Sequence, residues 1–368
     1  MSGPRRIFLH IGAPKTGTTY LQDRLARNAK TLGQHGVSFP GRGVGTSAPL
    51  FHFRAALDLL GQDWGGPPGH AEGSWEALVR RVRRASGDVI ISHEILAPAP
   101  AEQADRAKRE LAGDDAEVHI VYTARDLGRQ IPAAWQESVK QGRRWTYRAF
   151  TRRVKRRESW FYRSFDLPSV LTTWSAGLPP EQVHVVTVPP RGSGGDLLWE
   201  RFCAAVGMDP AWAPEESTRR NPSLGAAETT VLRRLNAELG RTARRTREFD
   251  ELVRSYLAEH ELVGRDSRPV PLPPGMYEWA AAETERWIEW VEASRVQVVG
   301  DVADLRFAPT ERGPRKGWGN PDKVAKAEQL DAALVALAAM TREAARRPQP
   351  TEQLVARVVD GVRRLRDQ

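Results

Sequence analysis

Apolar positions along this chain follow two periods. Continuous apolar runs at residues 5–12, 88–92, 118–123 and 183–188 read as buried strands, and Val37–Phe39 as a shorter one stopped by Pro40-Gly41. Between them, apolar residues recur at helical spacing: Leu21 and Leu25 within 18–28, an island near 51–60, a helix end near 79–85, and then 102–111, 127–140 and 197–206. Strands alternating with helices predict an α/β fold, a three-layer sandwich whose central parallel sheet is covered on both faces. The second half changes character. Residues 223–261 read as largely helical, with Val231, Leu232 and Leu235 on one face, and Pro269–Pro274 as a breaker. Residues 277–291 form a helix whose Trp279, Trp287 and Trp290 suit core packing, and 296–299 one more short strand. The expected organisation is a main domain over 1–308, then a basic Gly/Pro linker at 309–321 and amphipathic helices at 323–346 and 351–365.

Composition narrows the setting. The 368 residues suffice for a sizeable core, and no run of about 18 apolar residues exists to span a membrane. The opening apolar run, Ile7 to Ile11, is too short for a secretory leader, which predicts a cytoplasmic protein. One cysteine, Cys203, precludes an internal disulfide and reads as a buried apolar residue. The net charge of +9 suits a polyanionic ligand. It suits nucleic acid as well, and Arg143-Arg144, Arg152-Arg153, Lys155-Arg156-Arg157 and Arg244-Arg245 are basic clusters. No zinc spacing or other nucleic-acid signature accompanies them, so a solvated surface explains them and no nucleic-acid partner is expected.

Gly12-Ala13-Pro14-Lys15-Thr16-Gly17-Thr18-Thr19 follows the first strand and opens the first helix. Backbone amides and the helix dipole make such a turn an anion site. Gly17 permits close backbone approach, Lys15 brings a mobile positive charge, and Thr16, Thr18 and Thr19 bring hydroxyls. A nucleoside-triphosphate loop, G-x-x-x-x-G-K-[ST], is the rival reading. Gly12 and Gly17 have its spacing, but Thr18 stands where its lysine belongs. The strands end at Ser92 and Thr123 rather than at a magnesium-holding Asp; Asp126 comes later, beyond Arg125.

Pro14-Lys15-Thr16-Gly17-Thr18-Thr19 resembles the 5′-phosphosulfate loop of the sulfotransferases that use 3′-phosphoadenosine-5′-phosphosulfate (PAPS), and the stretch from Phe8 to Gln22 looks like bacterial members. The family's second motif begins with Arg-Asp after a later strand and carries a Ser eight residues on. Val121-Tyr122-Thr123-Ala124-Arg125-Asp126 matches its first part, but Ala133 stands where the Ser belongs. Trp135 to Lys140 is similar to the bacterial subgroup, with Gln136 and Lys140 as acceptor-facing or plain surface residues. Arg315-Lys316-Gly317 is similar to a Gly-rich 3′-phosphate loop. The resemblance covers roughly residues 5–305. It implies a P-loop-like fold, Lys15 at the sulfate-bearing phosphate, Arg125 at the 3′-phosphate, and transfer of a sulfuryl group to an acceptor hydroxyl. The acceptor would be a small molecule or glycan. The product would be adenosine 3′,5′-bisphosphate (PAP), and no metal is implied.

Sulfuryl transfer needs a base for the acceptor proton, and open α/β sheets hold ligands at the carboxyl ends of their strands. Ser92-His93-Glu94 follows the third strand there. The resemblance aligns His93 with the base of cytosolic members and Glu94 with a bacterial Ser-Ser-Glu pattern. His93 is the first candidate, Glu94 the second and His52 the third. Two other classes stay open: a magnesium-dependent kinase or other phosphotransferase, and a noncatalytic nucleic-acid-binding protein.

Overall fold

The computed structural model describes residues 4–42, 46–194, 196–219, 223–265, 267–307 and 319–347. The expected helix at 351–365 and the triplet Arg315-Lys316-Gly317 lie outside them, as does most of the expected linker at 309–321. The strands are β1 (Arg5–Gly12), β2 (Val37–Ser38), β3 (Asp88–Ser92), β4 (Ala116–Ala124), β5 (Val183–Thr187) and β6 (Gln297–Val299). They form one sheet in the order β2-β3-β1-β4-β5-β6, with every neighbouring pair parallel. Helices cover both sides, so the α/β architecture read from the two periods is the one observed.

The sheet's centre explains its unbroken apolar runs. Ile7, Phe8, Leu9 and Ile11 of β1 are all buried, as a parallel strand covered on both faces requires. On one face Phe8, Ile90, Val121 and Val186 join Leu21 and Leu25 of the helix Thr18–Arg27 and Trp199, Phe202 and Cys203 of the helix Leu197–Val206. Cys203 is packing material, and burial pushes its thiol pKa up. The helices Ala101–Ala112 and Leu167–Ser175 contact β4 and contribute no residue to that cluster. The chain passes from β1 out to β2, returns to β3 beside β1 and then crosses to β4 on the other side of β1. The strand order thus reverses at β1, and right-handed crossovers then open a crevice at the carboxyl ends of β1 and β4.

The chain divides into two compact units. One comprises the chain up to Ser138, Trp145–Ser223 and Val270–Asp322, and it holds the whole sheet. It also holds the helix Tyr277–Ser294, in which Trp287 is buried and donates its Nε1–H to Asp166 at 3.1 Å. Trp279 and Trp290 are only half-buried. The other unit takes Val139–Arg144, Leu224–Pro269 and the chain from Lys323 onward. Its described residues include helices Ala226–Glu238 and Lys326–Arg346 and a π-helical turn sequence Asp250–Glu261, so the largely helical reading of that stretch holds. No helix among the described residues is long and apolar enough to cross a membrane.

Candidate functional site

β1 enters the loop through Gly12 at φ 115°, where an added Cβ would lie 3.1 Å from the Cα and Cβ of Glu94. Glycine is needed there for both the positive φ and the close approach. The loop turns back through Lys15 at φ 67° and Gly17 at φ 97°. Gly17 is the N-cap of the helix Thr18–Arg27 and has no side chain to satisfy the first-turn amides, so these are available to an anion.

Thr16 and Thr18 are buried, and their hydroxyls serve the loop itself. Thr16 Oγ1 donates to Ala13 O at 2.5 Å, and Thr18 Oγ1 lies 3.4 Å from the same carbonyl. Thr19 is half-buried at the helix start. Beneath the loop, His10 Nδ1 meets Ser92 Oγ at 2.8 Å and His10 Nε2 meets Thr123 Oγ1 at 3.2 Å. Thr123 Oγ1 in turn donates to Gly12 O at 3.0 Å. One tautomer satisfies the whole chain: Ser92 donates to Nδ1, and Nε2–H donates to Thr123. Burial, and to a lesser degree His93, holds His10 neutral with a pKa of about 3.

Arg125 leaves the end of β4 and donates from Nη1 to Lys15 O at 2.8 Å. Its Nε is buried without a protein partner. Burial, with Arg129 and Arg191 nearby and Asp126 opposing, draws its pKa down to about 10, so the group stays cationic at neutral pH. An orphaned guanidinium N–H in a positive environment is suited to an anion. Asp126 is engaged elsewhere: its carboxylate accepts from the backbone N–H of Arg129 at 2.9 Å and from the same residue's Nε.

Two side chains of the helix Leu127–Lys140 reach the loop, and reading the sequence missed both. Gln130 Nε2 donates to Pro14 O, and Glu137 Oε2 pairs with Lys15 Nζ at 3.2 Å. They lie seven residues apart and thus share a helix face. A polar repeat on an otherwise buried helix was the available signal. Ala133 is buried in the same helix. Gln136 is buried, and Lys140 belongs to the second unit, where it pairs with Glu259 at 3.5 Å.

His93 and Glu94 follow β3 beside this loop, both half-buried. His93 Nδ1 accepts the backbone N–H of Ile95 at 3.2 Å, which leaves Nε2 as the protonated nitrogen of the neutral ring. Burial lowers its pKa to about 3, and Phe53 packs on it with ring centroids 5.1 Å apart. His52 has both nitrogens engaged, Nε2 with Pro40 O at 2.8 Å and Nδ1 with the Ser92 N–H at 3.3 Å; burial takes it to about 3 as well. Parts of the basic clusters are spent internally. Arg157 pairs with Glu283 at 2.6 Å, and Arg244 donates to Gly142 O at 2.5 Å and to Leu239 O at 3.1 Å. Among the described residues, no group of His, Cys, Asp or Glu side chains forms a metal site.

No family model matches the chain, and no curated protein matches it. Among solved structures, the chain is similar to a sulfotransferase from Alicyclobacillus acidocaldarius at 14% identity and a TM-score of 0.35, over 60% of this chain and 88% of that one. A likeness at that score does not define a common fold.

Proposed function

We propose that the chain transfers a sulfuryl group from PAPS to the hydroxyl of a small-molecule or glycan acceptor, releasing PAP. The observation that carries this reading is the meeting of three anion-seeking groups at the adjoining carboxyl ends of β1 and β4: the Lys15 ammonium, the uncapped first turn after Gly17, and Arg125 with its unpartnered Nε. The residues fit the nucleotide. The turn amides and Lys15 would hold the sulfate-bearing phosphate, and Arg125 the 3′-phosphate. PAPS supplies an activated sulfuryl group whose leaving oxygen gains charge. Lys15 is the group suited to neutralise that charge, and the loop backbone holds it in place. Thr16 and Thr18 act by shaping the loop, and Thr19 is the hydroxyl left to face the ligand.

For the base, Glu94 is assigned in preference to His93. The Nδ1 lone pair of His93 is already taken by an amide, and a pKa near 3 makes its ring a poor proton acceptor at neutral pH. Its Nε2–H is instead a donor able to orient the acceptor oxygen. His52 is less suited to the role, since both of its nitrogens are engaged. A magnesium-dependent phosphotransferase is less well supported, because Asp126 is committed to Arg129.

The test is thermal melting with PAP and, separately, with ATP and magnesium, on wild type, Lys15→Ala, Arg125→Ala and Glu94→Gln. PAP at a hundred times its dissociation constant should stabilise wild type by about 2.7 kcal/mol. Lys15→Ala and Arg125→Ala should lose most of that shift. Glu94→Gln should keep it while losing transfer of labelled sulfate from PAPS to an acceptor panel. Stabilisation of wild type by magnesium-ATP and not by PAP would overturn the proposal.

A further inference from the structure

Lys15 Nζ and Glu137 Oε2 stand 3.2 Å apart, with side chains 28% and 12% exposed. The pair sets a carboxylate against the ammonium that the proposed function needs at an anion. The lysine's backbone is fixed by other means: Gln130 holds the carbonyl of Pro14, and Arg125 holds that of Lys15 itself. The side chain is the movable part, a point charge on a flexible stem. An anion entering the turn must therefore win Lys15 from Glu137, and it meets the negative charge of Glu137 as it does so.

We infer that Glu137 is a positioning residue, an acidic tether that holds Lys15 in the ligand-free site and weakens the grip on the bound anion so that product leaves. The ligand in this inference rests on the proposed function; the tether does not. Glu137→Gln keeps the shape and removes the charge. Two readouts separate a tether from a structural prop. The first is trace acetylation of Lys15 by acetic anhydride in the ligand-free protein, normalised to the exposed Lys30. The second is PAP affinity by calorimetry. In Glu137→Gln, Lys15 acetylation rises at least about threefold and PAP binds roughly threefold to tenfold more tightly, as loss of a partly buried competitor predicts. Glu137→Asp, which retains the carboxylate, stays nearer wild type in both.

A structural lesion would weaken PAP binding instead, and that result, or unchanged acetylation of Lys15, overturns the tether. If Glu137→Gln does not fold, wild type still carries the test: 1 M NaCl screens the pair and must raise Lys15 acetylation relative to Lys30. A wild type with no affinity for PAP sinks the proposed ligand and leaves acetylation to decide the tether.

Discussion

His10, His52 and His93 converge at the carboxyl ends of β1 and β3, and burial holds each near a pKa of 3. Their ring nitrogens are used as fixed hydrogen-bonding groups: His10 to Ser92 and Thr123, His52 to Pro40 and Ser92, His93 to Ile95. Such a network is consistent only while the rings stay neutral, which ties the loop's scaffold to pH. The folded pKa lies below the unfolded value of about 6.5, so the unfolded chain binds more protons between those limits. Stability from these residues is full above about pH 6.5 and is lost as pH falls toward 3. Each can contribute a slope of roughly 1 kcal/mol per pH unit, and the three together less than the simple sum, because charging one ring opposes charging its neighbours. Denaturant titrations across that range should show this fall, and His10→Asn should make it shallower. A flat stability profile between pH 6 and 4 would contradict the neutral network.

The helix Leu127–Lys140 brings Gln130 and Glu137 against residues 14 and 15. Its Ala133 is the one departure from the second motif that the resemblance supplied, and it leaves that position without a hydroxyl. In the proposed function, Ala133→Ser restores the neutral donor that the resemblance places at the 3′-phosphate, eight residues after Arg125. A net hydrogen bond is worth about 1 kcal/mol, so PAP should bind about fivefold more tightly. Unchanged affinity by calorimetry would mean that this helix face does not approach the 3′-phosphate. The contrast between Arg125 and Glu137 also marks what a sequence discloses at this scale. The loop from Gly12 to Thr19 and the Arg-Asp after β4 are contiguous, and their spacing alone announces them. The pairing of Lys15 with Glu137 joins residues 122 apart, and only the packing of helix on sheet decides it. The sequence ranks His93 ahead of Glu94 as the base, and the proposed function reverses that order. What separates them is the backbone N–H of Ile95, a short-range contact that exists only once residues 94–96 form their 3₁₀ turn.

Over the whole molecule, the alternation of continuous apolar runs with helical-period segments sufficed to give the parallel sheet, because buried central strands must be apolar on both faces. The units were harder to read. Val139–Arg144 belongs with Leu224–Pro269, a grouping set by contacts far apart in the chain and by no change in composition. The net charge of +9 acts at this largest scale. Many of the described arginines are exposed, so their charge reaches a ligand through a screened field rather than through contact. A field of that kind raises the rate of encounter with an anion, whereas in the proposed function Lys15 and Arg125 act once the nucleotide is seated. The two contributions separate in stopped-flow binding of PAP. Raising salt from 0.05 to 0.5 M contracts the Debye length from about 14 to about 4 Å, and the association rate should fall roughly tenfold while dissociation changes by less than about twofold. Lys15→Ala should do the reverse, with faster dissociation and nearly unchanged salt dependence of association. If salt acted instead on dissociation alone, the distributed charge would have no part in capturing the nucleotide, and the basic surface would need another partner to explain it.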